Sequence, residues 1–135
     1  MRLKRFSVIA MALLAACKPP TPAKQMDSIQ SWLATAELDG DAWLRHAAPD
    51  NYSRQTLELS RETLLQVSHD LLSSHPPGVD SAMLDSVLIR SRRHIGQMSR
   101  FIEAKNPPAF ARQLDSLRAD QKIVKRIANS IESGR

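Results

Sequence analysis

The sequence predicts an all-α protein, an antiparallel four-helix bundle built from two helical hairpins and preceded by a cleaved signal and a short tether. Three observations carry this. Apolar residues recur at three- and four-residue steps through four long segments, the spacing of one helix face. Proline, glycine and asparagine punctuate the gaps between them. No stretch alternates apolar and polar residues as a half-buried strand does.

The first amphipathic segment is expected from about Ala23 to Leu38, with Met26, Ile29, Leu33 and Ala36 on one face. Asp39-Gly40-Asp41 should stop it, Gly40 suiting a left-handed cap and Asp41 the next N-cap. A short piece, Ala42 to Ala47, would then carry Trp43 and Leu44. A second long helix is predicted from Asn51 to Ser74, with Leu57, Leu64 and Leu71 seven apart and Val67 beside them. His75-Pro76-Pro77-Gly78 ends it.

The third helix has the most regular pattern. Leu84, Leu88, Ser91, Ile95, Met98 and Ile102 alternate steps of four and three, the period of a coiled-coil-like seam. Asn106-Pro107 follows as an N-cap and a first helical proline. The fourth helix sets Phe110, Leu117, Val124 and Ile131 at sevens, flanked by Leu114 and Ala128. Short connections imply antiparallel neighbours. Ala42-Trp43-Leu44-Arg45 also echoes Ala109-Phe110-Ala111-Arg112, which suggests two related hairpins.

The N-terminal segment has a different logic. Arg2, Lys4 and Arg5 precede an apolar run, Phe6 to Leu14, and the small residues Ala15 and Ala16 lead to Cys17. Charge, apolar run and small residues form the order of a secretory signal. The run falls short of the ~20 residues that span a bilayer as a helix. Leu14-Ala15-Ala16-Cys17 resembles the lipobox of bacterial lipoproteins, and Cys17 is the only cysteine of the chain. The resemblance implies cleavage after residue 16, a diacylglyceryl group on the Cys17 sulfur, and membrane attachment in the cell envelope. In that family an aspartate after the cysteine favours the inner membrane. Lys18 stands there, which implies the periplasmic face of the outer membrane.

Residues 17–24 then read as the lipidated cysteine and a proline-rich tether, and residues 25–135 as the bundle. Lys18 to Lys24 holds three prolines, an extended spacer of roughly 20 Å at ~3.1 Å per residue.

Removing the signal changes the charge balance. Three of the 19 basic residues lie in it, leaving 16 against 14 acidic residues, a net charge of +2. That is too little for a nucleic-acid reading. The remaining charge is uneven, with 5 basic and 8 acidic residues from Lys18 to Gly78 and 11 basic and 6 acidic from Val79 to Arg135. Arg118, Lys122 and Arg126 form an i, i+4 row, whose like-charge neighbours cost about 0.2–0.5 kcal/mol per pair. Arg93 and Arg100 point away from the third helix's seam. These five cations are the candidate contacts to an anionic partner.

Catalytic and cofactor patterns are sparse. One cysteine removes intrachain disulfides and Cys-rich metal sites. No Glu-x-x-His pairs suggest a di-metal bundle, and no serine sits in a Gly-x-Ser-x-Gly setting. No catalytic constellation is present, so an enzyme is not expected and the expected cofactor set is empty apart from the lipid. His94 and Met98, four apart, are the weak candidates for a metal or haem site and carry the alternative reading. Leu117-Arg118-Ala119-Asp120-Gln121 resembles the Leu-Thr-x-x-Gln motif of the Spy-type periplasmic helical chaperones, with Arg118 replacing the threonine. Size and class also resemble the pilotins, small lipoproteins that escort secretins. The expectation is a non-enzymatic binding or assembly module that engages a protein partner in the envelope.

Overall fold

The computed structural model describes residues 18–133; the segment expected to be a signal with a lipobox, Cys17 included, lies outside them. Four helices follow in order: α1 (Pro22–Leu44), α2 (Asp50–Ser73), α3 (Ser81–Glu103) and α4 (Pro107–Ser133). Each packs on its sequence neighbours, and α1 closes the ring against α4. The α1/α4 side therefore lies opposite the α2/α3 side. Among the described residues there is no strand, and no helix is long and apolar enough to cross a membrane.

The expected seams form the core. Leu84, Leu88, Ile95, Met98 and Ile102 of α3 are buried against Leu57, Leu64 and Leu71 of α2 and Phe110, Leu114, Leu117 and Val124 of α4. Serines fill the remaining interior positions of α2: Ser53, Ser60 and Ser68 are all buried. Their hydroxyls stay satisfied, Ser60 donating to Thr56 O at 2.8 Å and Ser68 to Leu64 O. Periodicity built on apolar residues passes over them.

The expected Asn106 cap forms at the start of α4, and Asp80 caps α3 in the same way. Asp80 Oδ1 accepts from the Met83 amide at 3.0 Å, and Asn106 Oδ1 from the Ala109 amide at 3.3 Å. Both α1 and α3 end in left-handed residues that are not glycine, His46 (φ 59°) and Lys105 (φ 51°). The next amides reach back, Ala47 N to Ala42 O at 2.8 Å and Asn106 N to Phe101 O at 2.9 Å. This satisfies carbonyls that a helix end leaves bare.

Three expectations are corrected. The helix predicted to stop at Asp39-Gly40-Asp41 runs on to Leu44, and the separate piece Ala42–Ala47 does not exist. Gly40 is buried inside α1, where an added Cβ would lie 2.8 Å from Met98 Cε and 3.3 Å from Leu114 and Phe110. The glycine serves close packing, and that burial outweighs its helix penalty of about 1 kcal/mol. Helix also begins inside the tether expected over residues 17–24. Thr21 caps α1 by accepting from the Lys24 amide at 3.3 Å, and Pro22 is already in the first turn.

The third correction concerns the internal echo. Trp43 closes α1 whereas Phe110 opens α4, so the two segments do not occupy equivalent places in the two hairpins. Their rings meet instead, with centroids 4.5 Å apart and planes at 44°.

Candidate functional site

The candidate cations separate onto two faces. Arg93 and Arg100 of α3 line a groove against α2 of about 470 Å³, together with Arg61, Arg92, Ile89 and Gly96. Two acids border it, and both are already engaged. Glu58 pairs with Arg61, which holds its carboxyl below the usual glutamate range, and Glu103 lies 3.7 Å from Arg54. Arg92, Arg93 and Arg100 have no acidic partner among the described residues. Arg92 Nε is shut away from water and also lacks a hydrogen-bond partner. The groove therefore offers three unneutralised guanidinium groups along about two turns of one helix.

Arg118 behaves differently from the expectation. Its Nε meets Glu37 Oε1 at 2.9 Å, and its terminal nitrogens approach Asp115 at 3.3 Å and Asp41 at 3.7 Å. Glu37, acting first through that hydrogen bond, pushes the Arg118 pKa further up. Arg118 is thus a clamp between α1 and α4 and not a free contact for an external anion. Its repulsion by Lys122 is offset by three carboxylates. Lys122 and Arg126 remain exposed, without an ion pair among the described residues.

His94 and Met98 serve separate contacts. His94 Nδ1 lies 2.7 Å from Gln113 Oε1 and its Nε2 3.6 Å from Asp120 Oδ2. Met98 is fully buried, with its methyl against Gly40. Their four-residue spacing puts the two on adjacent strips of α3, one turned to α4 and the other to α1. Among the described residues, no group of three or more His, Cys, Asp or Glu side chains is placed to hold a metal ion.

One polar cluster escaped the sequence reading. Asp120, 2% exposed, accepts from Arg90 Nε at 2.9 Å, from its terminal nitrogen at 2.7 Å, and from Ser91 Oγ at 3.2 Å. The available signal was its position, three residues after Leu117 and four before Val124, on the inner face of α4. The cluster joins α3 to α4 with every carboxylate oxygen engaged, so its role is cohesion. It also shows what Leu117–Gln121 does here: Leu117 fills the core, Arg118 clamps α1 and Asp120 binds α3.

Arg61 and Arg92 were also missed as groove residues. Arg92 could have been found beside Arg93 in the run Arg90-Ser91-Arg92-Arg93; Arg61 joins only through the register of α2 on α3.

Compared with family models, with curated proteins and with solved structures, the chain has no match.

Proposed function

We propose that the mature chain is a lipid-anchored, non-enzymatic binding module of the bacterial envelope, attached through Cys17 and facing the periplasm. Its α2/α3 groove takes an acidic segment of a protein partner. The observation that carries the groove assignment is the set Arg92, Arg93 and Arg100, which has no acidic partner among the described residues. Guanidinium groups match carboxylates with two parallel hydrogen bonds, so a run of Asp or Glu is the complementary ligand. Exposed ion pairs contribute only about 0.2–1 kcal/mol each, so engagement is weak alone, salt-sensitive and dependent on the anchor's local concentration. The lipobox residues Leu14 to Cys17 support the attachment.

The test is site-specific crosslinking in living cells. A photo-reactive residue at Ser99, on the groove, should trap a protein carrying an acidic segment, whereas one at the exposed Tyr52 should not. Arg93→Glu with Arg100→Glu should abolish the Ser99 adduct. An adduct that survives this double charge reversal would reject the groove as an anion-reading surface.

A further inference from the structure

The same fold places a second cationic surface close to the anchor. Only Lys18 to Thr21 separates Cys17 from the first turn of α1, a span of at most about 14 Å when fully extended. The 23 residues of α1 then rise roughly 34 Å away from that point. Because α4 runs antiparallel to α1, its second half returns toward the anchor. Arg118 meets Glu37 two-thirds of the way up α1, and Lys125 borders a depression with Gln30 and Ala34, nearer its start.

Among the described side chains of this stretch, the charges without a partner are mostly cationic. Lys122, Lys125 and Arg126 are exposed and have no ion pair among the described residues. Glu37, Asp41 and Asp115 are drawn to Arg118, and the α1 residues beside Lys125 are uncharged. Asp27 is the exposed acid left on the lower half of α1, against the neighbouring Lys18 and Lys24. Four of the five lysines after Cys17 (18, 24, 122 and 125) thus lie in the anchor-proximal half of the bundle. Lys105 occupies the α3–α4 turn at the far end.

We propose that the α1/α4 face, through Lys122, Lys125 and Arg126, rests on anionic phospholipid headgroups. This builds on the reading of Cys17 as the lipid anchor. Attraction to a charged surface decays within about 8 Å at physiological ionic strength. The three side chains therefore act only if the bundle leans onto the bilayer along α1 and α4. Leaning that way turns the opposite α2/α3 side outward, so the arginine groove faces the periplasmic space and not the lipid. The anchor supplies attachment, and the basic face supplies orientation.

Amine-reactive footprinting of the purified full chain tests this, in vesicles of phosphatidylglycerol and of phosphatidylcholine. Lys122 and Lys125 should lose reactivity several-fold in phosphatidylglycerol relative to phosphatidylcholine and regain it in high salt. Lys105 should react equally in both. Equal reactivity of Lys122 and Lys125 in the two lipids would overturn the proposal, as would protection of Lys105 to the same degree. The mass of the Cys17 peptide from the same digest reports the lipid separately. If Cys17 is unmodified the anchor reading fails, and adding the vesicles to that protein still decides whether the face binds anionic lipid.

Discussion

Met98 Cε lies where a side chain on Gly40 would begin: a Cβ there would be 2.8 Å away. This contact joins the last quarter of α3 to that of α1 across the diagonal of the bundle, and it sets a sharp contrast between two helical glycines. Gly40→Ala requires the tip of Met98 and its neighbours Leu114 and Phe110 to shift, so an overpacking cost of about 1–3 kcal/mol opposes the roughly 1 kcal/mol that alanine gains in a helix, for a net loss of up to about 2 kcal/mol. At Gly96 a Cβ meets only Arg61 Cδ, at 3.6 Å, an ordinary contact. Gly96→Ala should gain about 0.5–1 kcal/mol from helix propensity. Chemical denaturation of both variants checks this, and losses of similar size would remove the packing role of Gly40.

Asp39 makes stability depend on pH. It is buried between α1 and α2, accepting from Ser53 Oγ at 3.1 Å while its second oxygen has no partner. Burial raises its pKa above 3.8, and the Ser53 hydrogen bond offsets only part of that. Between 3.8 and the raised value the folded chain holds a proton that the unfolded chain has released. Its contribution is therefore fully present below 3.8 and lost as pH rises through the folded pKa. Asp39→Asn should raise the thermal midpoint at pH 7 and change it little at pH 3. A lower midpoint at pH 7 would show that the ionised carboxylate is needed.

Arg118 and Lys122 are neighbours with opposite consequences. Arg118→Gln removes the clamp on Glu37, Asp41 and Asp115 and should cost about 1 kcal/mol, at the upper end for a partly exposed network. Lys122→Gln should be neutral or slightly stabilising, because it removes a cation lacking a partner among the described residues. High salt should shrink the Arg118 effect. Equal responses in thermal unfolding would return Arg118 to the exposed row that its sequence spacing suggests.

The sequence by itself determined the helices and their inward faces. The seam Leu84–Leu88–Ser91–Ile95–Met98–Ile102 and the punctuation at Pro76–Gly78 and Asn106–Pro107 are local patterns, and burial follows them. Two kinds of residue escaped this logic. Gly40 breaks helices in isolation, yet it sits inside α1 because three side chains from other helices need its missing Cβ. Arg118, Asp120 and Arg61 are charged residues whose tasks depend on which helix lies alongside and at what register. An i, i+4 row shows that Arg118 is near Lys122; only the packing of α4 on α1 shows that Glu37 and Asp41 stand opposite it. The same packing gathers Arg92, Arg93 and Arg100 into a groove with Arg61 and puts Lys122 and Arg126 on the other side. Periodicity is a property of one helix, whereas charge partners belong to pairs of helices, so the tertiary structure alone assigned them.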